Sequence, residues 1–237
     1  MNIFIDVETL PSLKPGARAL AAAEVSPPGN ISKADTLAAW WETKGEAAKQ
    51  EAWRKQALDA ATGELCAVGF SDNDSEPVSL VRALDEPEDE FIWRALAAID
   101  LLIQSHYMTA PDGSLYGDAP HFIGHNVMFD LGFLLRRCWV HGLKPAFPIP
   151  RPNAREGKDF GCTMAMWSGP RGNMISLDKL CTALGVKSPK AEGVNGSQVY
   201  DLWAAGDHDK LARYNAADVA AAREVYFRLN FQGGVTI

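Results

Sequence analysis

Cysteine is sparse in this sequence, and its spacing carries no chemistry. Cys66, Cys138, Cys162 and Cys181 are scattered, with no C-x-x-C pair. This speaks against a zinc site and a disulfide framework, and a reducing cytoplasmic setting is the expectation. The chain also lacks any apolar run long enough to cross a bilayer, so no membrane partner is expected. Asp6 and Glu8 stand where a signal peptide needs positive charge and then an apolar core, so no export signal is read. Repeats and low-complexity tracts are missing too. Positive charge is short: the net charge of −7 argues against a simple basic nucleic-acid binder.

What remains is ordinary globular material, 237 residues of which 47% are hydrophobic and 22% charged. That length fits one domain over 1–237 carrying a helical insertion at about 11–60. The charge is unevenly placed. Residues 136–190 hold ten Lys/Arg against Glu156, Asp159 and Asp178, a net of +7, which leaves −14 on the rest of the chain. Such asymmetry fits an anionic partner lying over this segment, and equally a solvated face that happens to be basic.

Periodicity orders the chain into an α/β layered domain. The alternating apolar stretch from Ile3 reads as a strand, 65–70 and 78–81 read as two more, and the three suggest an antiparallel meander. Between the first two strands, an Ala-rich piece and a helix over 32–58 form the insertion, the latter with Trp40, Trp41 and Trp53. Residues 88–103 carry apolar side chains at helical spacing, and 121–124 form a short buried strand. Asn126 reads as the N-cap of a helix running to about 141. Short helices are expected over 162–168 and 176–184, the second capped by Ser176 and ended by Gly185. Two further helices, near 197–204 and 207–229, complete the chain.

Acids stand in odd places within this pattern. Asp6 and Glu8 point to one face of the first strand, beside Phe4, and two neighbouring carboxylates on an apolar strand repel each other and are costly to bury. A hard divalent cation with oxygen ligands would remove that cost, whereas the plainer reading is a solvated strand end. Asp130 opens a helix that is apolar nearly all round, where the helix dipole alone offers an anion some support. On the last helix, Leu211, Tyr214, Asp218, Ala222, Val225 and Leu229 fall on one stripe. An acid on such a stripe needs a partner, either a Tyr–Asp hydrogen bond that fixes packing or a metal with the phenol held beside it.

These acids lie in three ordered motifs: Phe4-Ile5-Asp6-Val7-Glu8-Thr9, His125-Asn126-Val127-Met128-Phe129-Asp130-Leu131-Gly132-Phe133-Leu134, and Tyr214-Asn215-Ala216-Ala217-Asp218-Val219. The sequence thereby resembles the DEDD superfamily of 3′–5′ exonucleases. Tyrosine four residues before the last aspartate marks the DEDDy branch, and Arg213 stands where the DEDDh branch has histidine. Residues 63–69, 176–180 and 196–203 look like those of stand-alone relatives of the family-B DNA polymerase proofreading domain. The resemblance implies an RNase H-like mixed sheet, with antiparallel strands 1–3 followed by parallel strands and helices around them.

By the same resemblance, Asp6, Glu8, Asp130 and Asp218 would hold two divalent ions, Mg²⁺ or Mn²⁺, roughly 4 Å apart. Asp6, Glu8 and Asp218 would serve the ion carrying the attacking water, and Asp6 with Asp130 the one near the leaving 3′ oxygen. Tyr214 would orient the water, since a phenol of pKa about 10 is a poor base at neutral pH. Thr9, Leu10, Asn126 and Phe129 are the candidates to contact the terminal nucleotide, with plain packing as the other reading. The implied activity is hydrolysis from the 3′ end of DNA, single-stranded for preference, releasing nucleoside monophosphates. RNA as substrate, with an exoribonuclease of the ribonuclease D type, is one alternative, and a non-catalytic nucleic-acid-binding module is another. The basic segment is expected to guide the strand. At most one tryptophan of the insertion is expected to touch a base, because the adjacent Trp40 and Trp41 cannot face one partner from a helix.

Overall fold

The computed structural model describes residues 1–232 except 113–114, 170–171, 173 and 190–192. The chain forms two compact units, one of Met1–Glu8 with Leu65–Ile237 and one of Thr9–Glu64. The larger unit is built on a mixed five-stranded sheet. Its strands in chain order are β1 (Asn2–Leu10, which continues into the smaller unit), β2 (Glu64–Ser71), β3 (Val78–Val81), β6 (His121–Gly124) and β7 (Phe160–Cys162). They lie in the order β3-β2-β1-β6-β7. β2 and β3 are antiparallel, with Gly69 opposite Ser79, while β1–β6 and β6–β7 are parallel.

Central position explains the burial of β1. Ile3, Phe4 and Ile5 are all at most 2% exposed, so both faces of the strand are covered. The face bearing Phe4, Asp6 and Glu8 meets the last helix, α8 (His208–Leu229). Phe4 makes edge contacts of 5.6 Å with the rings of Tyr226 and Phe227 and shares a core with Ile123 and Val219. Side chains two apart on a strand share a face, so Asp6 and Glu8 are carried on the same side as Phe4. Gly124 lets β6 approach β1 closely, since a Cβ there would lie 2.6 Å from the Ile5 carbonyl oxygen.

Helix α3 (Glu88–Gln104) and helix α4 (Val127–His141) are joined by a buried ionic cluster. Arg137, 1% exposed, donates from Nε to Glu88 Oε1 at 2.9 Å, and His141 Nε2 lies 2.9 Å from Glu88 Oε2. Glu88 also accepts the Leu65 backbone N–H at 2.8 Å. Arg137 is therefore not part of a basic surface, contrary to its counting in the +7 segment. Within that segment Arg136, Lys144, Arg151, Arg155, Lys158, Lys179 and Lys187 are exposed, and Arg171 and Lys190 fall outside the described residues.

Two departures from the sequence pattern concern short pieces. Residues 160–162 form strand β7 directly before helix α5 (Thr163–Ser168), and Met108–Thr109 (β4) pairs with Leu115–Tyr116 (β5) in a small hairpin. Runs of two or three residues carry no readable period. Asn126 does occupy the N-cap position of α4, but its side chain caps nothing. It adopts a left-handed conformation, φ 60° and ψ 31°, which asparagine tolerates better than most residues. Helix α6 (Leu177–Leu184) has Ser176 as its cap and a left-handed Gly185 past its end, as the sequence indicates. Helix α7 (Val199–Ala204) precedes α8.

The smaller unit contains α1 (Ala17–Ala23) and α2 (Ala34–Lys55). Trp53 is its anchor, 2% exposed, with its indole N–H donated to the Ser12 carbonyl at 3.0 Å and the Arg18 guanidinium over its ring at 3.9 Å. A ring held in that way cannot stack on a base. Trp40 and Trp41 pack edge to face, with centroids 4.9 Å apart. No described helix is long and apolar enough to cross a membrane.

Candidate active site

Parallel strands align their C-terminal ends, and in α/β sheets ligand sites form beyond those ends. Here a cavity of about 240 Å³ opens where β1 and β6 finish. Asp6 and Glu8 from β1, Asp130 from the first turn of α4, and Tyr214 and Asp218 from α8 line it. Asp6, Glu8 and Asp218 each present a carboxylate oxygen within 4.8 Å of the other two. Asp130 is 4% exposed and accepts the Val7 N–H at 3.3 Å. The i to i+4 spacing of α8 brings the Tyr214 hydroxyl to Asp218, to which it donates.

The electrostatics of this group are unfavourable when it stands alone. Burial holds the Asp6 carboxyl well above the usual carboxylate range, and repulsion from Asp130, Asp218 and Glu8 adds to it, against a hydrogen bond from Asn215. Glu8 is raised by burial and then by Asp218 and Asp130. Burial and Asp218 raise Asp130 despite its backbone hydrogen bonds. Asp218 is pushed up by burial to about 7, with Tyr214's hydrogen bond pulling it down. Tyr214 itself is pushed far above the normal phenol range by burial and by Glu8, Asp218 and Asp6. No cation among the described residues offsets these charges. Closely set carboxylate oxygens that only accept, with no basic side chain between them, suit a hard divalent cation.

Of the remaining candidates, Asn126 and Phe129 also line the cavity. The Thr9 hydroxyl donates to the Ala57 carbonyl at 2.6 Å, and Leu10 is fully buried. Three residues that stand in the quoted motifs but were given no role also belong to this site. His125 and Leu177 line the cavity, and Asn215 contacts Asp6. His125 Nε2 donates to the Ile175 carbonyl at 2.9 Å, and its Nδ1 lies 2.9 Å from the hydroxyl of Thr163, which also reaches the Gly124 carbonyl at 3.2 Å. Burial lowers its pKa, in keeping with a neutral ring. The imidazole so ties the end of β6 to the start of α5 and to the segment entering α6. It opens the second sequence motif, but a lone histidine has no period to betray its role.

A family model described as "Predicted 3'-5' exonuclease related to the exonuclease domain of PolB" matches residues 114–236, just over half of the chain. The match takes in Asp130, Tyr214 and Asp218, while Asp6 and Glu8 lie before it. No curated protein matches the sequence. Among solved structures, the family B DNA polymerase from the hyperthermophilic archaeon Pyrobaculum calidifontis is similar, with a TM-score of 0.58 and 13% identity over 97% of this chain. The chain spans only 24% of that polymerase's length, and likeness at this identity speaks for the fold: an α/β mixed sheet flanked by helices.

Proposed function

The chain belongs to the family of predicted 3′–5′ exonucleases related to the exonuclease domain of PolB, and we propose that it hydrolyses DNA from the 3′ end, single strands for preference, releasing nucleoside monophosphates with the help of divalent metal. One observation carries this reading. Four carboxylates, Asp130 buried and the other three half-buried, converge beyond the ends of parallel strands with no basic side chain among the described residues that line the site. A protein tolerates that arrangement when a ligand supplies the missing positive charge.

Asp6, Glu8 and Asp218 would hold one Mg²⁺ or Mn²⁺ ion, and Asp6 with Asp130 a second. When bound, such ions neutralise the scissile phosphate, lower the pKa of a water and stabilise the leaving oxygen. The chain's own groups do the rest. Tyr214 keeps its proton, because burial and three neighbouring acids raise it, so it never acts as a base: its hydroxyl donates to Asp218, and its oxygen accepts from the water and so orients it. Asn126 and Phe129, at the rim of the same cavity, contact the terminal nucleotide. The exposed Arg151, Arg155 and Lys158 attract the phosphates of an incoming strand that the acidic remainder of the chain repels.

The test offers 5′-labelled single-stranded DNA and RNA side by side, with Mg²⁺ or Mn²⁺ and with a chelator. The expected result is a ladder of DNA shortening from its 3′ end, lost on chelation. Faster shortening of RNA would replace DNA by an exoribonuclease reading, and binding without any shortening would leave a nucleic-acid-binding module.

A further inference from the structure

Beside the acids lies a neutral relay that uses residues from three elements. Asn215, fully buried on α8, donates from Nδ2 to Asp6 Oδ2 at 2.7 Å. Its Oδ1 accepts the hydroxyl of Ser79, on β3, at 2.6 Å. The chemistry fixes which way the amide points. As a ligand to a cation Asp6 is ionised and its carboxylate only accepts, so the NH₂ faces Asp6 and the oxygen faces Ser79, whose hydroxyl therefore donates. Room for this amide is made by Gly69 on β2, the strand neighbour of Ser79. A Cβ at position 69 would lie 2.5 Å from Asn215 Oδ1 and 2.9 Å from Val219 Cγ2.

We propose that Asn215, oriented by Ser79, is a positioning residue that fixes the Asp6 carboxylate for divalent-metal binding. The inference rests on the proposed metal-dependent activity but assigns a role that the acids themselves do not have. Asn215 takes one oxygen of Asp6 and thereby leaves the other for a cation. Without that hydrogen bond the carboxylate is free to rotate about its last bond, and repulsion from the neighbouring acids turns it away from them. Outer hydrogen bonds of this kind change metal affinity or activity by about 10- to 100-fold when removed.

The experiment titrates Mn²⁺ by calorimetry into metal-free full-length protein, in the parent, in Asn215→Leu and in Ser79→Ala. Asn215→Leu keeps the side chain's size and loses both polar ends. The expected result is a Kd for Mn²⁺ about tenfold or more weaker in Asn215→Leu, and a smaller weakening of a few-fold in Ser79→Ala, with both melting cooperatively. A merely structural role would alter the melting and leave the Kd alone. Unchanged Mn²⁺ affinity in a folded Asn215→Leu overturns the proposal. Should that variant fail to fold, Ser79→Ala decides, and an unchanged Kd there overturns it as well. A parent that binds no Mn²⁺ overturns the metal reading and this role together, whereas a binding parent with an unaffected variant overturns this role alone.

Discussion

Glu88 and Asp130 are two acids in matching positions. Each sits in the first turn of a helix, each is about 5% exposed or less, and each accepts a backbone N–H from a strand residue, Leu65 for one and Val7 for the other. Their surroundings differ in one respect. Glu88 meets the guanidinium of Arg137 and the ring of His141, and its carboxyl lies below the usual range, burial being outweighed by the Arg137 and Leu65 hydrogen bonds. Asp130 meets other acids, and its carboxyl lies well above that range. Burial and helix dipole are thus shared, and the presence or absence of a facing cation separates an acid whose charge is paired from one whose charge is not.

The contrast breaks most visibly at the carboxylate cluster. Asp6→Ala or Asp218→Ala should cut hydrolysis by about a hundredfold or more, while the metal-free variant melts no lower than the parent, since one member of a repelling group is gone. The 3′ ladder assay and a melting curve at pH 8 check both halves. Near-normal cleavage in Asp6→Ala would sink the site assignment, and a large loss of stability would make the cluster structural like Glu88.

Arg137→Met sharpens the other side. It preserves bulk but leaves Glu88 buried without its cation, which costs about 3–5 kcal/mol. Urea unfolding should record that loss, and activity per folded molecule at low temperature should stay close to the parent's. A variant as stable as the parent would show that Glu88 finds enough support in His141 and the Leu65 N–H.

Tyr214→Phe is expected to act between these extremes. It removes the hydroxyl alone, so hydrolysis should slow by about 10- to 100-fold, less than on loss of a metal ligand, with the Mn²⁺ Kd little changed, weaker by at most about a few-fold through the lost hydrogen bond to Asp218. Weakened Mn²⁺ binding on the scale of Asp218→Ala would place the phenol among the metal ligands.

The smallest effect is the most diagnostic, because the two kinds of acid answer pH with opposite signs. Asp218, raised from 3.8 to about 7, holds a proton when folded that it has lost when unfolded. Across that window the metal-free protein loses stability as pH rises. Glu88, lowered from 4.5, contributes stability that is present above that value and lost as pH falls through its folded value. Asp218→Asn should therefore flatten the stability profile between about pH 4 and 7, and Glu88→Gln should flatten only its acid limb. A parent profile that is level from pH 5 to 8 would contradict the raised Asp218.

Much of this was legible before any coordinates. The strand bearing Asp6 and Glu8, the apolar helix opened by Asp130 and the stripe joining Tyr214 to Asp218 all carry a period, and each was found where that period put it. Short elements were not legible. β7 and the β4–β5 hairpin are too brief to show alternation, and their existence depends on neighbours that pair with them. Asn215 and His125 stand in the motifs, but their roles escaped for a related reason, since a single polar residue signals no role until its partners are known.

The sequence by itself determined which residue types recur at which spacing, and so the four acids, the tyrosine, the elements that carry them and the family they resemble. Only the tertiary structure decided what each charge faces. In sequence, Glu88 is the first residue of an amphipathic helix and Arg137 one cation of a basic stretch, 49 residues away. Folding buries them against each other and sets Asp6, Glu8, Asp130 and Asp218 together with no such cation among the described residues. Desolvation and pairing depend on distance in space, and separation along the chain does not encode that distance.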